Sequence, residues 1–310
     1  MAALTYLTMK GMSPHPLARA TASLHGLALG DAFGSQFFVP DHRHALSARL
    51  LPPGPWQWTD DTEMACSVYR VLDDHGAIDQ DKLAASFAAR HDFDRGYGPA
   101  TNRMLRLVRE GGDWRRLSAE LFDGKGSWGN GAAMRVAPLG AWFAGDLAHV
   151  ARQAALSAQV THTHPEAVAG AVAVAVATAV TVQEPDLPAG RFLDRIREHV
   201  PASMVHDGIG EARQLLTISD PALAARMLGK GRQVSAHDTV PFTLWVAARE
   251  RHDFTAAMWT TATAGGDVDT TCAIVGGIVA AASGAHLPPE WRARCEPLPD
   301  WAGSPPLGAG

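Results

Sequence analysis

The stretch from Pro165 to Val182, PEAVAGAVAVAVATAVTV, constrains this chain more than any other. It is almost entirely Ala and Val, with Glu166 near its start and no polar stripe. A helix formed there has to be buried on every side, in a core or in a bilayer. The run lies at the lower edge of spanning length and alanine contributes little to insertion, so a central helix of a soluble core is expected. Pro165 suits its first position, where the missing N–H costs nothing. With 310 residues, 46% hydrophobic and 19% charged, the chain has the apolar material to surround such a helix and does not have the composition of a disordered one.

Helical periodicity dominates the rest. After Asp60, apolar residues fall at Met64, Ala65, Val68, Val71 and Leu72, one face of a helix. Asp60 and Glu63 have the spacing of a capping pair, and Gly76 suits the far end. Further helices are predicted at Lys82 to Arg90, Pro99 to Arg109, Asp146 to Val160, Arg191 to His199, Pro221 to Leu228, Thr239 to Arg249, Asp253 to Ala264 and Thr270 to Ser283. Period-2 strand patterns are absent, as are tandem repeats and linkers. One all-α domain over 1–310 is expected, with a Pro-rich tail from 288 onward lying along the surface. No amino-terminal stretch reads as a signal peptide, because Leu4 to Met12 is short and broken by Thr, Lys and Gly.

The net charge of −5 includes no basic block, so neither general nucleic-acid binding nor attraction to anionic lipid is expected. Cys66, Cys272 and Cys295 form an odd, widely spaced set that fits a reducing cytoplasm better than a disulfide framework. Cys66 and Cys272 sit in apolar runs and read as inert core residues.

Two acidic segments stand out: Trp58-Thr59-Asp60-Asp61-Thr62, and Gly265-Gly266-Asp267-Val268-Asp269-Thr270-Thr271. Each precedes an apolar helix. Within a helix, Asp267 and Asp269 would lie about 200° apart, so they can converge only if the backbone there is not yet helical, which Gly265-Gly266 permits. Asp and Thr are also ordinary helix caps, and one such segment alone would be read that way. Two of them, both beside a core, would repel unless cations intervene, and all-oxygen ligands suit Mg²⁺ or Mn²⁺ rather than zinc. If the two segments meet, a two-metal site follows.

A third segment, Gly124 to Arg135 (GKGSWGNGAAMR), is a glycine-rich loop leading into an apolar run. It is an ordinary helix lead-in or an anion cradle, and matches neither nucleotide fingerprint. Arg135 there faces ligand or core. Thr161-His162-Thr163-His164 lies between two helices; a capping role and a hydrogen-bonding role for His162 are both open, and no third nitrogen or sulfur ligand for zinc lies nearby.

Together these segments resemble the ADP-ribosylglycohydrolase family, hydrolases that remove ADP-ribose from modified proteins. Gly26-Leu27-Ala28-Leu29-Gly30-Asp31-Ala32-Phe33-Gly34 is similar to the family's opening motif, Trp58 to Thr62 to its first metal motif and Ser127 to Arg135 to its substrate loop. Thr161-His162 and Gly265 to Thr270 match two more. The matches run from about residue 17 to 285, in the family's order. The resemblance implies an all-α, orthogonal multi-helix domain around a central cleft with two Mg²⁺ or Mn²⁺ ions. It makes Thr59, Asp60, Asp61, Asp267, Asp269 and Thr270 the metal ligands, with Asp60 or Asp61 as the catalytic carboxylate. Ser127, Trp128, Gly129, Asn130, Gly131 and Met134 would line the diphosphate and ribose site, and His162 would reach the ligand. Asp31 would be a supporting or structural residue. One departure is Phe38, four residues after Gly34 of the opening motif, where family members often carry a glutamate. It favours arginine-linked over serine-linked ADP-ribose. The expected partner is the ADP-ribose moiety of a modified protein, met by a monomer. The alternatives are a catalytically weak ADP-ribose-binding protein and a hydrolase of a small ADP-ribose derivative.

Overall fold

The structure, a computed structural model, describes residues 15–282 and 286–305; the stretch from Leu4 to Met12, Ser283 and the last residues of the tail fall outside this range. The longer helices, in chain order, are α1 (Pro16–Ser35), α2 (Asp60–His75), α3 (Gln80–Arg90), α4 (Pro99–Arg109), α5 (Leu147–Gln159) and α6 (Pro165–Gln183). They are followed by α7 (Ala189–Arg197), α8 (Met204–Gln214), α9 (Pro221–Leu228), α10 (Val240–Glu250), α11 (Phe254–Ala264) and α12 (Val268–Ala280). No β-strand occurs among the described residues. The all-α class is thus as the sequence implies.

The Ala/Val run is α6, and 83% of its most apolar window is buried inside the protein. It packs against α5, α7, α8, α10 and α12, so its featureless surface meets neighbours all round. Its few polar groups find partners within the protein. Thr178 and Thr181 donate to the carbonyls of Val174 and Ala177, one turn back. Glu166 accepts from the backbone N–H groups of Met204 and Val205 and so caps α8 from another helix.

The site depends on the crossing of α1 over α12, the most extensive helix contact in the molecule. Gly26, Gly30 and Gly34 recur every four residues and form one stripe down α1. A Cβ at Gly26 would overlap Ala280, and one at Gly30 would overlap the carbonyl of Cys272. The opening motif's glycines therefore serve close backbone approach, and no period-2 or amphipathic signal could have revealed α1.

Two local features depart from the sequence reading, and the contacts of the tail show how it is held. Asp60 and Glu63 do not form a capping box: Thr59 is the N-cap without a side-chain bond, and Glu63 accepts instead from Tyr97 Oη at 2.7 Å and from the Asp92 N–H at 3.0 Å. The run after the glycine loop is two short helices, Gly131–Met134 and Ala137–Trp142, interrupted at Arg135, with Pro138 in the first turn of the second. The tail is fastened to the body. Trp291 stacks on Phe33 at 4.4 Å between centroids, Trp56 exchanges backbone hydrogen bonds with Arg294 and Glu296, and Arg95 grips Glu296 with two bonds of 2.8 Å.

Gly30→Ala is expected to destabilise the protein by about 1–3 kcal/mol, because rigid backbone must move. Gly145→Ala, where a Cβ meets nothing within 4 Å, should change stability by less than about 0.5 kcal/mol. Equal melting temperatures for the two variants would contradict this packing.

Candidate active site

Both acidic segments and the glycine-rich loop line one cavity of about 480 Å³. Asp60, Asp61, Asp267, Asp269 and Thr270 form one side. Ser127, Trp128, Gly129, Asn130, Gly131, Met134 and His162 form another, and Gly96, Gly98, Pro99, Ala100 and Thr101 with Phe122, Gln233 and Val234 complete it. Thr59 lies just behind, facing a second groove. A slightly larger cavity of about 530 Å³ near His25 and Cys295 includes one acid, Glu296, which Arg95 already engages. Chemistry therefore selects the first cavity.

The acidic side is built around Asp31, which α1 presents to the start of α2. Its Oδ2 accepts from the backbone N–H groups of Thr59 (2.8 Å) and Thr62 (3.1 Å) and from Thr62 Oγ1 (2.6 Å). Its Oδ1 accepts from Thr59 Oγ1 at 2.9 Å. The cap that Asp60 and Glu63 do not supply thus comes from a different helix. Asp31, Asp61 and Asp269 each bring one oxygen into a group whose members all lie within 4.8 Å of one another. Asp31 thus stands within the acid cluster as well as supporting the start of α2. A charged residue inside a stripe of glycine and apolar side chains was the available signal.

The second segment behaves as its glycines require. Gly265 (φ +68°) and Gly266 (φ +95°) take left-handed conformations, and Asp267 is the non-helical N-cap of α12. Asp267 and Asp269 can therefore both reach the cavity. Asn130 Nδ2 donates to Asp267 Oδ2 at 2.7 Å and joins the glycine loop to the acids.

These carboxylates fit a cation. Asp61 Oδ1 is buried and has no hydrogen-bond partner. Thr59 Oγ1 lies 2.9 Å from Asp31 Oδ1 and 3.0 Å from Asp61 Oδ2, yet has one proton to give. Burial, reinforced by neighbouring acids, raises Asp61 and Asp269 well above the ordinary carboxyl range. Burial and then the charge of Asp31 push Asp60 up to about 8. Burial pushes Asp31 up to about 6 against four hydrogen bonds that favour its charge. Such a cluster binds protons or cations, and oxygen-only ligands suit hard divalent ions.

The opposite wall is neutral or donating. The loop is held by Asn130 N–H to Val234 O (3.2 Å) and Ala236 N–H to Trp128 O (3.0 Å). His162 packs against it so closely that a Cβ at Gly131 would come 2.8 Å from its Cε1. Burial, then the charge of Arg135, pushes His162 down to about 3, so its ring is uncharged at neutral pH. Arg135 itself faces the core, donating to Thr161 Oγ1 (2.9 Å) and Ser157 O (2.8 Å). The 229–239 loop, which clamps both walls, left no legible trace in the sequence, since its contacts are long-range backbone bonds.

A family model for ADP-ribosylglycohydrolase matches residues 12–304. Among curated proteins, the chain is 27% identical over 330 residues to human ADP-ribosylhydrolase ARH3, covering 90% of each chain. It is 31% identical over 170 residues to the ADP-ribosyl-[dinitrogen reductase] glycohydrolase of Rhodospirillum rubrum, covering 51% of this chain and 55% of the relative. A solved structure described as an ADP-ribosylglycohydrolase-related protein complex has the same fold, with a TM-score of 0.66 and 24% identity over 94% of this chain and 96% of that one.

Metal ions and protons should compete for the acidic wall. The melting-temperature gain from saturating Mg²⁺ or Mn²⁺ over EDTA is expected to grow as pH rises from the ordinary carboxyl value of 3.8 toward about 8. Over that window the cation-free folded state retains protons that the unfolded chain has lost, so its stability falls as pH rises. A gain that is zero, or constant with pH, would count against a metal centre.

Proposed function

The chain belongs to the ADP-ribosylglycohydrolase family and is an enzyme of that type, and from this premise we propose that it cleaves, with metal assistance, the glycosidic bond joining ADP-ribose to a protein side chain, arginine in preference to serine. The observation that carries the reading is the convergence of both acid pairs on a cavity whose facing wall is the glycine loop and His162. In it Thr59, Asp60, Asp61, Asp267, Asp269 and Thr270, with Asp31 beside them, would hold two Mg²⁺ or Mn²⁺ ions. Bound there, the ions would supply Lewis-acid polarisation and offset the negative charge of the wall.

The chain's own groups divide the remaining work. The loop from Ser127 to Gly131, with Met134 and His162, holds the diphosphate and ribose, so binding away from the reacting carbon fixes its position. Trp128 and Phe122 line the cavity and are 47% and 56% exposed, leaving ring faces for the adenine. Asp60 or Asp61 moves the proton, to the leaving group or from water, as the anomeric carbon takes on oxocarbenium character.

The acceptor preference rests on the far side of Thr59. There a groove of about 480 Å³ meets the main cavity at Gly96 and is lined by Gln36, Gln57, Asp92, Asp94 and Arg95. Arg95 stands 3.8 Å from Asp92 Oδ2, and Asp94 is the carboxylate that would meet a guanidinium. Phe38 ends the 3₁₀ turn after α1, is 52% exposed and brings no carboxylate toward the cleft.

Asp60→Asn and Asp269→Ala are each expected to lower ADP-ribose release by at least ~10²-fold while far-UV helicity is unchanged. Full activity in either would remove the basis for this site. On a panel of linkages, release from arginine should exceed release from serine, and Phe38→Glu should narrow the gap. Tight calorimetric binding of ADP-ribose with no release from any linkage would select the binding-protein reading instead.

A further inference from the structure

The buried contact between Arg135, Thr161 and His162 fixes which nitrogen of the histidine carries its proton. Thr161 Oγ1 lies 2.9 Å from Arg135 Nη1 and 2.7 Å from His162 Nδ1. An arginine has donors and no acceptor, so Thr161 Oγ1 accepts a hydrogen bond from Arg135. The threonine hydroxyl has one proton of its own to place. Thr161 is 1% exposed, and the acceptor within reach of its hydroxyl is His162 Nδ1. Were Nδ1 to carry a hydrogen, the hydroxyl proton would be buried without a partner, a costly arrangement. Nδ1 is therefore bare, and the ring proton sits on Nε2. That nitrogen lies on the cavity side of the ring, beside Gly129 and Gly131, at 3.0 Å from where a Cβ on Gly131 would stand.

Arg135 is well placed to impose this. Its guanidinium is fully buried, anchored by Ser157 O at 2.8 Å and stacked 4.5 Å from the centre of the Phe87 ring. Burial lowers its pKa to about 9, still above neutrality, so it remains a donor.

We propose that Arg135 and Thr161 are positioning residues that lock His162 in its Nε2–H form, so that it offers the cleft a hydrogen-bond donor for an anionic oxygen of the ligand's diphosphate. His162 is thereby excluded as the general base, since the nitrogen facing the cleft has no lone pair free to take a proton. The identity of the oxygen rests on the ADP-ribose reading above; the tautomer does not.

The ring nitrogens of ¹⁵N-histidine-labelled full-length protein report the tautomer directly, with the His162 signals identified by their loss in His162→Gln. The wild-type ring is expected to show a protonated Nε2 and a bare Nδ1, and Thr161→Ser should preserve that pattern. Thr161→Val and Arg135→Met should each yield a mixture of tautomers. Calorimetry with ADP-ribose and Mg²⁺ should show at least about tenfold weaker binding for Thr161→Val, as for a lost hydrogen bond to a charged group, and near-wild-type binding for Thr161→Ser. A wild-type ring protonated at Nδ1 would overturn the lock, as would an unchanged ring in Thr161→Val. Unchanged affinity in Thr161→Val would overturn the donor role. Absence of ADP-ribose binding by the wild type would sink the ligand assignment, while the ring pattern would still decide the tautomer. Should Arg135→Met fail to fold, the two Thr161 variants, which leave every charge in place, decide the matter.

Discussion

The carboxylate of Asp31 is the interaction around which the site is assembled. It is fully buried on α1, and its four hydrogen bonds go to the backbone and hydroxyls of Thr59 and Thr62 at the start of α2. Because the glycine stripe of α1 presses the same helix onto α12, one segment fixes the origins of both acid-bearing helices. Asp60 and Asp61 enter the cavity at the start of α2, and Asp267 and Asp269 at the start of α12. Two sequence segments some two hundred residues apart thus meet because a third, with no acid pair of its own, holds each of them.

Burial at such a junction has an electrostatic consequence. The positive ends of two helices favour negative charge, but the dipole effect is a fraction of a kcal/mol up to about 2. Desolvation and mutual repulsion among Asp31, Asp60, Asp61 and Asp269 outweigh it, since all four are raised above the ordinary carboxyl value. The unpartnered Oδ1 of Asp61 and the two acceptors competing for one Thr59 proton mark the same imbalance in geometry. The acidic wall is accordingly a place where the fold carries an electrostatic cost, which is common at functional sites.

Features that rest on local chemistry were legible in the sequence. The Ala/Val run had to be buried whatever surrounded it, and Gly265-Gly266 had to precede Asp267 if that residue and Asp269 were to converge. Features that rest on long-range partners were not. The Asp60–Glu63 spacing looked like a capping box, yet Asp31 occupies the N–H groups and Glu63 holds Tyr97. Residues 26–34 carry no amphipathic pattern because α1 is buried almost all round, and there its glycines meet backbone where side chains would normally pack. Arg135, whose orientation was open from sequence, turns inward, where Thr161 and Ser157 take its two Nη groups and Phe87 lies against its face.

The two walls also constrain how a ligand with a diphosphate can lie. Against Asp60, Asp61, Asp267 and Asp269 a phosphate would meet like charge, so that side suits ribose hydroxyls and whatever cations the acids hold. The Ser127–Gly131 loop brings no carboxylate, and His162 adds an uncharged ring beside it. An uncharged donor is the better choice there than an imidazolium: the ring lies next to the buried Arg135 charge, which already disfavours a second cation. On the proposed reading, Arg135 contributes to the loop side of the cavity without lining it. Burial, with the Arg135 charge adding to it, keeps His162 neutral, and in the proposed lock the hydrogen bond from Arg135 to Thr161 directs the one remaining ring proton toward the cleft.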